Sequence, residues 1–352
     1  MSSAQANQIR KVAIIGVSSL TLHEKPKSTK PPQASGQVGT YILNSLLETN
    51  NHEITVLTRP SSSTTFPSSP SITVAKVDYA SEPDMVSALS GHDLLIITLS
   101  ARAPRGLHSQ IVAAAALAGI QWIMPNYWAS PLGDRGGCIA KDPMFSSFGG
   151  YIDDVRNAPV PEGGVKPHFV ALCNGFWYEF SLSMGDPWFG FDIKHRKVTL
   201  YDEGTVRISV STWQLCGQAV ASLLSLPVKG DGSVEPALED WKDAGVTIAS
   251  FLVSQRDMLD SLNRVLGTED EDWEITKQPS KERYEEGVKQ LQAGDRLGFA
   301  KAMYAKIFYP GEGGDYETGY ELDNAKLSLP KEDLDEATRR AVELVKNGAG
   351  IH

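Results

Sequence analysis

Gly16 closes a short apolar run, Lys11-Val-Ala-Ile-Ile, and further on Ala34-Ser35-Gly36-Gln37-Val38-Gly39 opens a stretch with apolar residues four apart. Between them stand the 17 residues Val17–Gln33, VSSLTLHEKPKSTKPPQ. Without that block the text runs VAIIG-ASGQVG-TYIL, a regular G-x-x-G-x-x-G after a strand and before a helix. A glycine pattern alone is weak evidence. One that becomes regular when a single block is lifted out, in a strand–turn–helix setting, is specific. Its chemistry is binding rather than bond-making, because such a turn aims backbone N–H groups and the positive end of a helix at a diphosphate. Gly16, Ala34, Ser35, Gly36, Gln37, Val38 and Gly39 are therefore the candidate dinucleotide contacts.

A second signal selects among dinucleotides. A site for the unphosphorylated ribose ends its second strand with Asp or Glu. Here that strand ends Leu57-Thr58-Arg59, followed by Pro60 and three serines. A guanidinium matches a ribose 2′-phosphate in charge and geometry, so Arg59 points to NADP(H); its bland alternative is a solvated loop residue. Asp78, after the third strand, falls by position near the adenine edge. Thr98, Leu99 and Ser100, after the fourth, fall along the ribose and nicotinamide half.

The block Val17–Gln33 has two readings. Val17-Ser18 can be encoded GTAAGT, a common intron start, Gln33 can be CAG, a common intron end, and 17 codons keep the frame. The other reading is a natural loop insertion or a lid over the cofactor. Its place between the two glycine halves favours the retained intron. With three prolines, four charged residues and no periodicity, it is expected to be disordered. The chain as written is expected to bind dinucleotide more weakly than one without it.

Elements that would position these residues alternate along the first half. Strands are expected at Lys11–Gly16, Glu53–Thr58, Ile72–Val77, Asp93–Leu99 and Gln121–Met124, with helices over Gln37–Leu47, Pro83–Leu89 and His108–Gly119. That alternation predicts an α/β Rossmann fold, a doubly wound parallel sheet. Pro125–Lys166 reads as long loops with at most one short helix, and His168–Leu172 as a sixth parallel strand. Val198–Tyr201 and Thr205–Val210 read as strands joined by the turn Asp202-Glu203-Gly204. Ser211 or Thr212 can cap a helix to Leu226, Thr247–Val253 is strand-like, and Ser254 can cap the next helix. Lys281–Phe308 reads as two helical pieces and Leu329–Asn347 as a charged amphipathic helix. The expected organisation is a disordered 1–10, a Rossmann domain 11–172 and a smaller mixed C-terminal substrate lobe 173–352 interleaved with it.

Composition narrows the class. The 352 residues, 41% hydrophobic and 22% charged, suffice for a globular core. A net charge of -10 argues against nucleic acid or an anionic membrane as partner. The polar start carries no secretory signal, and no apolar run is long enough to span a bilayer. Cys138, Cys173 and Cys216 are few, odd in number and widely spaced, without a metal or disulfide pattern. A cytoplasmic location is expected, with the nucleus as alternative. Cys138, in a glycine-rich loop, has no base nearby. His108, beside an Ala-rich helix face, reads as structural or solvent-facing.

Gly16 joined to ASGQVG, then LTR (Leu57–Arg59), VDY (Val77–Tyr79), AAAALAGIQWIMPN (Ala113–Asn126), NGFWYEF (Asn174–Phe180) and ISVSTWQLCGQAVASLLSLP (Ile208–Pro227) resemble the NmrA-like family. These are atypical short-chain dehydrogenase/reductases that include isoflavone-reductase-like enzymes. The resemblance spans nearly the whole chain outside the block. It implies an NADP(H)-binding Rossmann fold, with Gly16, Gly36 and Gly39 as the fingerprint and Arg59 on the 2′-phosphate. Pro125-Asn126 occupies the stretch often written Pro-Ser-Glu-Phe-Gly, which adds Pro125 and Asn126 to the cofactor contacts. The family holds both reductases of small, often aromatic metabolites and regulators that sense the dinucleotide and bind a protein partner.

Two departures bear on the chemistry. No Tyr here has Lys four positions on, so the usual proton-transfer pair is absent. The Lys of isoflavone-reductase-like enzymes would fall in Phe145–Gly150, which has none; Lys141 is the nearby substitute, with a plain surface residue as its bland reading. Phe176, Trp177 and Tyr178 are candidates to line an apolar substrate pocket, and equally candidates for core. A reductase of a small apolar or aromatic metabolite is favoured over a non-catalytic sensor.

Overall fold

Lys11–Ile15 forms strand β1, in which Val12 and Ile14 face one side of a sheet while Ala13 and Ile15 face the other, all four with no exposed surface. Burial on both faces is what a parallel strand covered by two helical layers requires. The computed structural model describes residues 7–17, 34–66, 68–100, 103–104, 106–160, 162, 164–232, 235–311 and 313–350. Of the block Val17–Gln33 only Val17 is among them, so the disorder expected there lies outside the described residues.

The strands that follow are β2 (Glu53–Thr58), β3 (Ile72–Lys76), β4 (Leu94–Ile97), β5 (Trp122–Met124), β6 (Trp128–Ala129) and β7 (His168–Cys173). The second half adds β8 (Phe176–Trp177), β9 (Phe191–Asp192), β10 (Lys197–Tyr201), β11 (Ile208–Ser211), β12 (Ala244–Thr247), β13 (Phe251–Val253) and β14 (Glu274–Gln278). Helices are α1 (Ala34–Thr49), α2 (Glu82–Leu89), α3 (Leu107–Leu117), α4 (Gly137–Lys141), α5 (Gly150–Arg156) and α6 (Tyr178–Ser183). After these come α7 (Trp213–Ser225), α8 (Gln255–Leu266), α9 (Ser280–Gln292), α10 (Leu297–Ile307) and α11 (Leu334–Lys346).

The main sheet is parallel throughout, in the order β12-β7-β5-β4-β1-β2-β3 with β6 also on β7. The order reverses between β1 and β4, and in open α/β sheets that reversal leaves a ligand crevice beyond the strands' carboxyl ends. Val38, Ile42 and Leu46 of α1 and Leu215, Ala219 and Leu223 of α7 pack on Val12 and Ile14. Met85 and Leu89 of α2, Ile111 of α3 and Val155 of α5 pack on Ala13 and Ile15. Each large apolar side chain fully buried in these layers contributes about 1.5–3 kcal/mol. The fold is thus a Rossmann-like α/β sheet with smaller mixed sheets beyond it.

Those smaller sheets are β14-β10-β9 and β8-β11-β13, which share a second core with α6, α8, α10 and α11. Hydroxyl and carboxylate caps set the helix starts. Thr212 accepts from the Leu215 N–H at α7, and Ser254 exchanges hydrogen bonds with Asp257 at α8.

Several expectations change. Residues 7–10 are not disordered: Gln8 bridges to Pro227, the Asn7 side chain donates to Lys229 O at 2.9 Å, and Ile9 is buried. Between 125 and 166 the chain builds β6, α4 and α5, more than one short helix, because Phe145, Ile152 and Val155 are buried there. Val198–Tyr201 and Thr205–Val210 do not make a common sheet: β10 pairs with β9 and β14, β11 with β8 and β13. Thr247–Val253 is likewise two strands, β12 in the main sheet and β13 in a small one. The charged C-terminal helix begins at Leu334 rather than Leu329, where the Asp333 side chain accepts from Glu336 N.

Candidate functional site

Gly16 leaves β1 with φ +93°, and a Cβ there would lie 2.2 Å from the Thr98 carbonyl oxygen. Gly39, on α1, approaches the same residue: its Cβ would lie 2.5 Å from Thr98 Oγ1 and 3.4 Å from Val17 Cα. Thr98 is fully buried, and its hydroxyl donates to Ile15 O at 2.8 Å while its N–H donates to the same oxygen at 2.9 Å. The two halves of the glycine motif therefore meet on one residue, Thr98, at the β1/β4 reversal. The first permits the left-handed turn and the last the close approach of helix to strand, the roles of these positions in a dinucleotide fingerprint.

The other residues singled out lie beyond the same strand ends. Val38 is wholly in the core, so only its backbone faces the turn, and Gln37 is half-buried. Ala34, Ser35 and Gly36 begin α1, and their side chains lie outside the described residues. Arg59 follows β2 and is exposed. Beside it Tyr79 donates to Leu57 O at 2.7 Å; burial pushes its phenol up to about 12, and the Arg59 charge pulls the other way. Asp78 is exposed, with its carboxylate accepting from Ala80 N at 3.0 Å in a tight local turn. Thr98 spends its hydroxyl inside the turn rather than toward a ligand. Leu99 is buried, and Ser100 is half-buried with its carbonyl accepting from Ala103 N.

Past β5, Pro125 is buried and Asn126 is held from two directions. Its side-chain Nδ2 donates to Leu99 O at 3.2 Å, and its backbone N–H donates to His108 Nε2 at 3.2 Å. His108 Nδ1 donates in turn to Asp154 Oδ2 at 2.6 Å, and Tyr151 packs on the imidazole 4.7 Å away. An Nε2 that accepts carries no proton. Burial, which pulls the imidazole pKa down against the pull of Asp154, agrees with a neutral ring. Asn126 Oδ1, a buried atom, has no partner among the described residues.

The remaining candidates separate. Phe176 and Trp177 keep some exposed surface, and Phe176 lies 4.5 Å from the Tyr304 ring. Tyr178 is fully buried with its hydroxyl 2.8 Å from Thr338 Oγ1, so it ties α6 to α11 and is core rather than pocket lining. Lys141 ends α4, exposed, and its neighbour Asp142 accepts from the Tyr284 hydroxyl of α9 at 2.8 Å. The Cys138 side chain lies outside the described residues, and Cys173 and Cys216 are buried thiols.

Two features escaped the sequence reading. His108 is structural, one of the two readings given for it, and not solvent-facing, but its partner Asp154 is 46 positions away, with no local spacing to announce it. Glu179 is 2% exposed, its carboxylate accepting from Arg340 Nε at 3.1 Å and from Trp213 N at 3.4 Å. Burial, only partly offset by Arg340, raises its pKa to about 7. The residues at the crevice fit a dinucleotide, with a glycine turn that no side chain could enter, an exposed cation at the next strand end and an unpartnered acceptor at the far side.

Comparison with known proteins agrees with this geometry. Residues 34–126 match the family model described as NAD(P)H-binding, and the match begins where α1 begins. The oxidoreductase aprR of Aspergillus flavus is 26% identical over 304 residues, covering 86% of this chain and 94% of that protein. The NADPH-dependent quinone oxidoreductase of Escherichia coli, solved with NADPH, superposes with a TM-score of 0.58 at 18% identity, covering 93% of this chain and 98% of its own. Isoflavone reductase superposes with a TM-score of 0.64 at 15% identity, covering 95% and 99%. At those identities the two structures speak to the fold. Among the described residues no helix is long and apolar enough to cross a membrane.

Proposed function

We propose that this chain is an NADP(H)-dependent oxidoreductase of the NmrA-like, isoflavone-reductase-like kind, reducing a small apolar or aromatic metabolite. The observation that carries the reading is the meeting of Gly16 and Gly39 on Thr98 at the β1/β4 reversal, which builds a diphosphate turn from two distant stretches of chain. Bound nicotinamide supplies the hydride. The chain's own residues bind and orient. Backbone amides at the start of α1 receive the diphosphate, Arg59 receives the 2′-phosphate, and Phe176 and Trp177 offer apolar surface that excludes water from a flat substrate. The matching NAD(P)H-binding model and the oxidoreductase among the relatives support this.

A second reading has one observation in its favour. Among the described candidates, both His108 nitrogens are engaged and Lys141 is exposed at the end of α4, so neither offers a placed acid or base for proton transfer. That suits a sensor whose NADP(H) occupancy alters a surface for a protein partner. The deciding measurement is NADPH oxidation across a panel of enones, quinones and aromatic ketones, run beside calorimetric NADPH binding. Turnover establishes the reductase; tight binding without turnover on any class selects the sensor; no binding of either nicotinamide coenzyme ends both.

A further inference from the structure

His108, Asp154 and Asn126 form a chain of contacts that dinucleotide binding by glycines and Arg59 does not use. Asp154 fixes the imidazole tautomer by accepting a hydrogen bond from Nδ1–H, which leaves Nε2 as an acceptor for the Asn126 backbone N–H. Leu99 O, beyond β4, accepts a hydrogen bond from the side-chain Nδ2. With the backbone N–H and the Nδ2 of Asn126 tied, its side-chain Oδ1 has a set direction, a buried position between the ends of β4 and β5, and no partner among the described residues. A buried acceptor left without a donor keeps its full desolvation cost, which a bound donor removes. Along the sheet edge the order Arg59 (β2), Gly16 (β1), Leu99 (β4), Asn126 (β5) runs from the phosphate-reading end to the other half of a dinucleotide.

Resting on the proposed NADP(H) reading, we infer that Asn126 Oδ1 accepts a hydrogen bond from the nicotinamide carboxamide N–H, and that the His108–Asp154 pair is a positioning device for that contact. The donor is the amide because the carboxamide is the neutral N–H donor carried on the reacting ring. An acceptor fixed there sets which way the ring lies before hydride leaves it. His108 touches neither coenzyme nor substrate. Because it acts as a neutral acceptor, a glutamine, whose Oε1 also accepts, can replace it, whereas leucine cannot.

Three ligands test the inference on the full chain by calorimetry: 2′,5′-ADP, NADP+, and the 3-acetylpyridine analogue of NADP+, which lacks the amide N–H. Wild type is expected to bind NADP+ about tenfold more tightly than the analogue, the worth of one buried hydrogen bond. Asn126→Ala is expected to bring the two to equal affinity while 2′,5′-ADP binding stays within twofold. His108→Leu is expected to lose most of the discrimination and His108→Gln to keep it, a pattern that loss of general stability does not produce. Retained discrimination in Asn126→Ala overturns the contact, and so does equal weakening toward both dinucleotides, which would assign Oδ1 to a ribose hydroxyl. His108→Leu behaving as wild type overturns the positioning role. If even 2′,5′-ADP fails to bind wild type, the coenzyme reading itself falls, an outcome separate from all of these.

Discussion

Gly39→Ala tests whether the helix and strand halves of the glycine turn truly meet on Thr98. The new Cβ would stand 2.5 Å from Thr98 Oγ1, nearly 1 Å inside ordinary contact. Two responses are open. Thr98 can rotate, which breaks the 2.8 Å bond from its hydroxyl to Ile15 O, or α1 can lift, which unpacks the wholly buried Val38 and Ile42. Forced overpacking costs about 1–3 kcal/mol and the broken hydrogen bond about 1 kcal/mol. Replacing glycine by alanine inside a helix returns about 1 kcal/mol. The expected net is a destabilisation of about 1–3 kcal/mol, read from urea unfolding at constant m. In a Thr98→Ala background the obstructing oxygen is gone and the nearest atom becomes Thr98 Cβ at 3.4 Å, so Gly39→Ala becomes neutral or mildly stabilising. The coupling in the double-mutant cycle is then about 1–4 kcal/mol. Costs of Gly39→Ala that agree within about 0.5 kcal/mol in both backgrounds would refute the contact. Gly16→Ala is the control, since its main clash is with the Thr98 backbone oxygen and its φ is +93°, both of which Thr98→Ala leaves in place.

Three further outcomes follow from other parts of the molecule. Arg59→Ala is expected to weaken NADPH about tenfold or more, the worth of about 1.5–3 kcal/mol for a charge-assisted pair, and to leave NADH unchanged; an equal loss for both coenzymes in calorimetry would remove Arg59 from the 2′-phosphate. Protein lacking Val17–Gln33 is expected to bind NADPH more tightly than the full chain, and equal dissociation constants would show the block to be neutral for the turn. Glu179, raised to about 7 from an ordinary 4.5 by burial, favours the folded state most when protonated. Its contribution is complete below about pH 4.5 and is lost as pH rises through 7, about 3 kcal/mol at 1.36 kcal/mol per pH unit. Glu179→Gln should therefore flatten the fall in stability between pH 5 and 8, measured by denaturant midpoints, and an unchanged slope would contradict the burial argument.

The residues that could be read without a structure are those whose signal is local. Alternating strand and helix periods between 11 and 124 specify a parallel sheet because each needs only a few neighbours to show its period. The glycine halves could be joined on paper because their spacing is a property of one turn. Thr212 and Ser254 cap helices because a side-chain oxygen reaches only three residues ahead. Tertiary structure decided what depends on partners distant in the chain. Val198–Tyr201 and Thr205–Val210 look like one hairpin, yet each strand finds its ladder elsewhere, since the residues that cover them come from 176, 191, 251 and 274 onward. Tyr178 and Phe176 are alike in a list of aromatics, and only α11, which supplies Thr338, makes one of them core. Glu179 acquires its unusual proton affinity from burial, which Arg340 only partly offsets, and neither is written near position 179. His108 became an acceptor aimed at Asn126 only when Asp154 arrived from another helix to take its second nitrogen. Periodicity and turn chemistry are short-ranged, whereas register, burial and the state of a buried ionisable group are set by whatever the rest of the chain brings alongside.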